Sequence, residues 1–331
     1  MALRHARVLV AALGMAIVPA LQAADSPRVW LERMTESLAT RNYDGLFTHS
    51  AGEQSEAMRI LHRVEDGRSV ERLVSLDGSG RELVRTPEEV HAYLPDRRVV
   101  LVEPRKEDGS LLKAVPAPGP ELELLYELEA RPGHRVLGNE VRIVDVRPRD
   151  QYRYGYRLWL AEDTAMPLRS AVLDGDGRVI EQIQFTRLEM PAHIPASAVE
   201  PSVDATGYQW IRTGRRGNVR VAAVAGWRVR QAPPGFRLVA SRFQTLPGVP
   251  VPVPHLILSD GLASVSVFIE PGPPSGPIPR ELATLGSANA YTTTVQGHVV
   301  TAVGEVPQNT VRNIASSVVP ETGAPPLDAG R

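Results

Sequence analysis

A basic segment in the second half of the chain holds the residues whose types and spacing could do chemistry. The stretch "WIRTGRRGNVRVAAVAGWRVR" interleaves two tryptophans with six arginines, which are Arg212, Arg215, Arg216, Arg220, Arg228 and Arg230. From Ala205 to Ser259 there are eight arginines and no acidic residue, whereas residues 25–204 carry 32 acidic and 24 basic side chains. Planar guanidinium groups bind phosphate and carboxylate groups through paired hydrogen bonds. The segment predicts a site for an anionic ligand or partner, with simple charge balance against the acidic part of the chain as the alternative.

Residues for catalysis or metal binding do not form a recognisable pattern. The seven histidines after residue 24 form no H-x-H or H-E-x-x-H pair, and no G-x-S-x-G motif is present. The acidic turn "DGDGR" resembles the start of a calcium loop, but Phe185 stands where the twelfth position needs a carboxylate. The absence of cysteine excludes thiolate metal sites and disulfides. We therefore predict no catalytic residue, no metal and no cofactor, with an unrecognised hydrolase as the alternative.

The first residues have the layout of a secretory signal peptide. Arg4, His5 and Arg7 precede the apolar run "VLVAALGMAIV", and Pro19 and small residues follow it. The run is too short to cross a bilayer as a helix. We predict a signal peptide over residues 1–24, with an uncleaved membrane anchor as the alternative. The exported chain must then be held together by its hydrophobic cores, since no disulfide can form.

Residues 25–190 predict a larger N-terminal unit of one helix followed by antiparallel strands. Pro27 suits the first helical position, and three apolar residues recur at helical spacing: Trp30, Met34 and Leu38. This helix is expected to stop near Gly45. Short runs such as "AMRILHRV", "SVERLVSL" and "RVVLVE" then alternate with turns such as "EDGR" and "DGSG". That alternation is typical of successive hairpins.

A second, smaller unit is predicted after a linker. Proline, alanine and serine accumulate over residues 191–207 while periodicity disappears, which is typical of a domain boundary. Residues 208–319 predict a small sheet with one backing helix, because three apolar residues have helical spacing: Val311, Ile314 and Ala315. Residues 320–331 are predicted to be a disordered tail.

The stretch "HLILSDGLASVSVFIE" predicts a hairpin inside the second unit. Its Asp260-Gly261 pair lies between two apolar runs, and these residue types tolerate the backbone angles of a tight turn. No acid, base and nucleophile are combined in it. We therefore interpret it as part of the structure of the domain core.

Several strings in both units are unusual enough to compare with known families. They are "WLERM", "NYDGLF", "RILHRVEDGRSVERLVSLDGSGRELVR" and "AYLPD" in the first unit, and "GFRLVASR", "HLILSDGLASVSVFIE" and "HVVTAVGEVPQNTVRNIASSV" in the second. In their types and order they resemble the MucB/RseB family of periplasmic sigma-E regulatory proteins. The resemblance implies an α+β fold, with an N-terminal open antiparallel β-barrel with helices, similar to the lipoprotein carriers LolA and LolB. It also implies a smaller C-terminal β-sheet domain with one backing helix.

The resemblance also implies a function. Members of this family bind the periplasmic domain of a single-span anti-sigma factor similar to MucA or RseA and protect it from regulated proteolysis. They act as negative regulators of the envelope-stress response, and lipopolysaccharide or another acylated ligand releases the partner. The resemblance implies no catalytic residue. Export of the chain argues against a nucleic-acid partner, and a homo-oligomer is left open. The alternative function is that of a periplasmic lipid or lipoprotein carrier.

An acylated ligand would need an apolar concavity. The inner face of the first sheet is the candidate, with Tyr154, Tyr156 and Leu158 alternating along one strand. Simple core packing of this strand is the alternative. The phosphate groups of such a ligand would bind the arginine segment.

Overall fold

The computed structural model describes residues 26–105, 119, 121–212, 226–246, 249, 251–272 and 281–321. They form two sheet domains. The predicted signal peptide and residues 322–331 of the predicted tail lie outside them. Among these residues, no helix has the length and apolar character that a membrane span requires.

The N-terminal domain is built on one large open sheet with β12 and β7 at its edges. In space the strands follow the order β12-β6-β5-β4-β3-β2-β1-β11-β10-β9-β8-β7. Two antiparallel meanders are joined where β1 pairs with β11, and β12 adds parallel to β6. The strands are β1 (Tyr43–Ala51), β2 (Gln54–Glu65), β3 (Arg68–Ser75), β4 (Glu82–Arg85), β5 (Glu89–Leu94), β6 (Val99–Pro104), β7 (Tyr126–Pro132), β8 (Val141–Pro148), β9 (Gly155–Ala161), β10 (Pro167–Leu173), β11 (Val179–Glu189) and β12 (Gln209–Arg212).

One long helix, α1 (Pro27–Thr40), packs against one face of this sheet. Its apolar residues are buried on one side: Trp30, Leu31, Met34 and Leu38. They pack against inward-facing side chains of both meanders, among them Ile60, Val144 and Leu158. A short helical turn, α2 (Leu122–Leu125), leads into β7.

The helix ends earlier than the sequence pattern predicted. The C-cap Arg41 is already extended, and β1 begins at Tyr43, so Gly45 lies inside a strand. A Cβ atom at Gly45 would overlap the ring of Phe185 on the neighbouring strand β11. Glycine is therefore present here because the sheet needs space for a core aromatic ring, and it does not terminate the helix.

The predicted linker is packed along the outer face of the first sheet, and we call residues 191–208 the strap. Ile194 and Val199 bury Leu61 of β2, and Val203, Ala205 and Tyr208 pack on strands β4 to β6. Glu82 of β4 accepts hydrogen bonds from the backbone N–H and the hydroxyl of Ser202, and from Arg72. The strap then continues into β12, so the predicted start of the second unit at residue 208 precedes a strand that belongs to the first sheet.

The C-terminal domain is a six-stranded antiparallel sheet with one helix on it. The order is β14-β15-β16-β19-β18-β17, and a separate pair joins β13 to β20. The elements are β13 (Trp227–Val229), β14 (Arg237–Gln244), β15 (Val253–Ser259), β16 (Ser264–Pro271), β17 (Glu281–Leu285), β18 (Ala288–Val295), β19 (His298–Gly304), α3 (Gln308–Ser316) and β20 (Val318–Pro320). Helix α3 buries Val311, Ile314 and Ala315 against the sheet. The predicted fold class is confirmed: the N-terminal open antiparallel β-barrel with helices is a large open sheet packed on α1, and the smaller C-terminal domain is a sheet with one backing helix.

Candidate functional site

One turn of the first sheet makes several of the polar contacts between the two domains. We call residues 150–154, between β8 and β9, the junction turn. The C-terminal domain contacts four consecutive residues of this turn: Gln151, Tyr152, Arg153 and Tyr154. The amide of Asn309 donates to the Gln151 carbonyl at 3.0 Å and the hydroxyl of Thr310 donates to the Tyr152 carbonyl at 2.7 Å. Both donors lie in the first turn of α3, so this helix is docked end-on against the N-terminal domain.

A buried ion pair lies at the centre of the junction. The guanidinium of Arg153 donates to the carboxylate of Asp260 at 2.8 Å, and both side chains are 0% exposed. Arg153 also donates to Asp150 at 3.0 Å and to the carbonyl of Pro234. Desolvating a charged pair is unfavourable unless its remaining donors and acceptors are satisfied. These contacts satisfy all three nitrogen atoms of the guanidinium.

Asp260 also holds its own turn together. Its Oδ1 atom accepts from the backbone N–H groups of Leu262 and Ala263 at 2.9 and 2.7 Å. Its Oδ2 atom faces the other domain, where the hydroxyl of Tyr126 donates to it at 3.3 Å. Burial and the nearby Asp260 charge raise the pKa of Tyr126 far above its ordinary value, so this hydroxyl stays protonated and can donate. The hairpin predicted to be domain core therefore also has its turn inserted into the domain junction.

The rim of the junction is closed by close backbone approach and by polar contacts. Gly235 has a φ of +80°, and a Cβ atom there would lie 2.7 Å from the Leu125 side chain. The side chain of Arg237 reaches Glu121 at 2.9 Å. A residue with a side chain at position 235 would therefore push the domains apart as well as strain the turn.

The basic segment is divided between the two domains. Arg212 is at the end of β12, on the edge of the first sheet, with its guanidinium 3.0 Å from Glu89. Arg228 and Arg230 are exposed on or next to β13 in the C-terminal domain. Arg215, Arg216 and Arg220 lie outside the described residues. The structure thus places three of the six arginines, and it places them on different sheets.

The strand predicted to line an apolar cavity is packed. Leu158 is 1% exposed inside the main core, and Tyr156 packs against the same core. Tyr154 belongs to the junction turn, where its hydroxyl accepts from the amide of Asn289 at 2.9 Å. Its function is to join the domains, and the acyl-binding role of these three residues stays a prediction.

Sequence reasoning missed Arg153 and the partners of Asp260. The Asp-Gly pair gave a signal for the turn, but nothing local indicated that the carboxylate would leave its own domain. Arg153 lies in the polar string "RPRDQYRYGY", which is typical of an exposed turn. The one signal available was an arginine close to three tyrosines, a composition that is common where surfaces meet.

The fold is that of a two-domain protein, with an open sheet packed on one helix and a small sheet domain. Its buried polar side chains at the domain junction hold the two domains together. The chain belongs to the MucB/RseB family. The family's N-terminal domain matches residues 26–203 and its C-terminal domain matches residues 221–319.

Similar proteins span nearly the whole chain. The sigma factor AlgU regulatory protein MucB of Pseudomonas aeruginosa is 34% identical over 318 residues, which cover 93% of this chain and 95% of that protein. The sigma-E factor regulatory protein RseB of Salmonella typhimurium is 26% identical and covers 87% of this chain and 89% of its own. A crystal structure of MucB in complex with MucA(peri) superposes with a TM-score of 0.72 at 30% identity, covering 89% of this chain and 99% of that one.

Proposed function

We propose that this protein is a periplasmic negative regulator of the sigma-E envelope-stress response. It binds the periplasmic domain of a membrane-anchored anti-sigma factor and protects it from regulated proteolysis. The observation that carries this proposal is the similarity to MucB over both domains, including the structure in which MucB is bound to MucA(peri). The protein acts as a binding partner and not as an enzyme, which agrees with the regulatory function in the names of its relatives.

The domain junction supports a binding role. A surface that extends over two domains binds a partner most tightly when the domains are already held in the bound orientation, because less conformational freedom is lost on binding. Here the buried Arg153–Asp260 pair and the docked end of α3 fix the orientation of the two domains. Protection from proteolysis then follows if the bound segment includes the cleavage site.

Release by an acylated ligand such as lipopolysaccharide is the second part of the proposal. A ligand displaces a partner only to the extent that it binds more tightly to one state of the protein than to the other. The acyl chains would enter the concave face near Tyr156 and Leu158, where they would compete with core packing. Such a ligand therefore loosens the N-terminal domain as it binds.

The central prediction is a stable complex between the chain from Asp25 onward and the periplasmic fragment of the single-span anti-sigma factor encoded in the same genome. Calorimetry should give saturable binding, and the bound fragment should resist a site-specific periplasmic protease. The control is the same fragment without the regulator. Absence of binding, together with lipid that copurifies with the protein, would instead support the carrier function.

The basic segment gives a second prediction about this complex. We expect replacement of Arg212, Arg215, Arg216 and Arg220 by glutamine to weaken binding of the partner or of lipopolysaccharide. Each exposed ion pair contributes about 0.2–1 kcal/mol, so four together correspond to roughly 5- to 1,000-fold in affinity. The affinity should also fall as salt rises, because salt screens exposed charges. Titration of both ligands at two salt concentrations measures this effect.

A matched control removes four exposed arginines elsewhere in the N-terminal domain: Arg81, Arg135, Arg178 and Arg187. This control has the same net charge as the variant in the basic segment. Equal affinities of the two variants for both ligands would show that the segment only balances the acidic part of the chain.

A further inference from the structure

A group of arginines lies on the outer face of the first sheet, opposite α1, over strands β7 to β10. It consists of one residue from each of four neighbouring strands, and we call it the outer arginine cluster: Arg131, Arg147, Arg157 and Arg169. The register aligns Asp145 with Arg157 and Trp159 with Arg169. Side chains two positions apart on a strand share a face. These residues therefore point away from the core that Val144 and Leu158 form on the other face.

One buried carboxylate organises three of these arginines. Asp145 is 1% exposed, and its Oδ1 atom accepts from Nε of Arg157 at 2.5 Å. Its Oδ2 atom lies 3.4 Å from an amino nitrogen of Arg157 and 3.5 Å from one each of Arg131 and Arg147. Because these three nitrogens lie 3.4 or 3.5 Å from the same oxygen atom, the distance between any two of them is at most the sum of their two distances to that oxygen. A carboxylate has about four acceptor sites whereas three guanidinium groups have about fifteen N–H donors, so Asp145 alone cannot satisfy all of these donors.

Among the residues that the structure describes, the acidic partner of the cluster other than Asp145 lies on β7. Glu129 of β7 pairs with Arg147 at 2.8 Å, and Glu127 is on the same strand. Toward β10 the acidic residues are replaced by amides, since Arg169 donates to the side-chain oxygen of Gln182 at 3.0 Å. Arg157 is closely paired with Asp145 and Arg147 with Glu129, so among the described residues the cluster's arginine without an acidic partner is Arg169 on β10.

Arg169 is the member of the cluster with the clearest free capacity. Within the part of the chain that the structure describes, it has no acidic partner, and its guanidinium lies 4.3 Å above the ring of Trp159. Burial and the charge of Arg157 both lower the pKa of Arg169. The lowered pKa agrees with a locally positive environment in which a bound anion would be stabilised.

We propose that the outer arginine cluster, centred on Arg157 and Arg169, binds a phosphate group, and in particular a phosphomonoester. A tetrahedral phosphate has three terminal oxygens that can accept from several guanidinium groups at once, whereas a carboxylate is planar and is satisfied by two. Arg157 and Arg169 are diagonal neighbours, since Arg157 aligns with Ala171 and Arg169 with Trp159. Diagonal positions on neighbouring strands are about 7–8 Å apart, which long side chains can span, so the two arginines can contact one phosphate. The Trp159 ring beside Arg169 gives an apolar contact for the organic part of the ligand. This site does not depend on the anti-sigma partner and goes beyond the proposed function.

The test uses the full exported chain and two probes. Inorganic phosphate represents a soluble ligand, and phosphatidylcholine vesicles with one-tenth phosphatidic acid present the same group on a lipid surface, with vesicles of phosphatidylcholine alone as the blank. We expect saturable binding to phosphate, to phosphatidic acid vesicles or to both, and the double variant Arg157→Gln with Arg169→Gln should bind about tenfold more weakly. Binding to the vesicles alone assigns a lipid headgroup, and binding to phosphate alone assigns a soluble ligand. No binding to either probe above the blank overturns the proposal.

Controls separate this site from general charge effects and from misfolding. The variant Arg135→Gln with Arg178→Gln removes the same charge from exposed positions outside the cluster and should retain wild-type affinity. Arg157 contacts Asp145, so its loss is expected to lower the melting temperature. Arg169→Gln removes no ion pair formed by the described residues and should still weaken binding about threefold. Arg169→Lys keeps the charge without the planar fork and should fall between the wild type and Arg169→Gln. An equal loss of affinity in the exposed control variant overturns the proposal.

Discussion

Replacing Asp260 with alanine is expected to lower the free energy of unfolding by about 3 kcal/mol, because Arg153 would keep a buried charge without its closest partner. Breaking a buried ion pair costs about 3–5 kcal/mol, and the lower end applies because Arg153 retains Asp150 and the Pro234 carbonyl. Since the pair joins two domains, the loss should appear first as undocking. Calorimetry should then show one thermal transition broadening or separating into two.

The chain offers a matched control for this change. Asp174 caps the exposed turn between β10 and β11 in the same manner, accepting from the backbone N–H groups of Asp176 and Arg178 at 2.9 and 2.8 Å. Asp174→Ala removes equivalent turn contacts but no buried ion pair, so the difference between the two variants measures the junction. Adding Arg153→Met to Asp260→Ala should recover part of the loss, since no buried charge remains. If Asp174→Ala and Asp260→Ala destabilise equally, the ion pair does not hold the domains together.

The second large effect is expected on removing the strap together with β12. A fragment of residues 26–212 should fold, whereas a fragment of residues 26–190 should be far less stable. The shorter fragment uncovers four buried side chains of the sheet: Val84, Tyr93, Val100 and Val102. Fully burying one such side chain contributes about 1.5–3 kcal/mol, so partial exposure of four removes on the order of 4 kcal/mol. Domains of this kind have only about 5–15 kcal/mol in total.

Urea denaturation followed by circular dichroism compares the two fragments. The longer fragment should unfold cooperatively, and the shorter one should have a much lower midpoint or aggregate. The strap also provides hydrogen-bond donors to the buried carboxylate of Glu82, which accepts from the backbone N–H of Ser202 at 3.0 Å. Burial raises the pKa of Glu82, but the hydrogen bonds from Arg72 and Ser202 outweigh this and leave the pKa below its ordinary value. Equal midpoints for the two fragments would show that the strap is only a linker.

Local sequence patterns predicted the helices and strands of this fold better than they predicted which strands pair with each other. Alternating apolar runs and glycine-containing turns indicated most strands, and helical spacing indicated α1 and α3. The same alternation cannot say that β12 pairs in parallel with β6, because the two strands are separated by most of a domain. The strap has no periodicity, since its apolar residues contact the sheet one by one along an irregular path. Its composition therefore indicated a linker.

The candidate sites depend even more on contacts between distant residues, which local sequence patterns do not show. The acid-free interval was a correct observation about composition, yet Arg212 and Arg228 belong to different sheets. The outer arginine cluster draws on four strands and has no spacing that a sequence pattern could detect. A buried arginine such as Arg153 contradicts the expectation that charged residues stay at the surface. Its partners explain the burial: Asp150 lies in the same turn, and Asp260 and the Pro234 carbonyl lie in the other domain.

Strand β12 has a consequence for the order of folding. Strand β6 has the sequence "VVLVEP", and an apolar strand at an open sheet edge is a template for pairing with other chains. Its protecting neighbour, residues 209–212, comes more than a hundred positions after the end of β6. As the chain emerges amino-terminus first, both meanders can form while this edge is still unpaired. The risk of aggregation during export is therefore greatest between completion of β11 and arrival of β12. This risk ends when β12, which lies between the two domains in the sequence, pairs with β6.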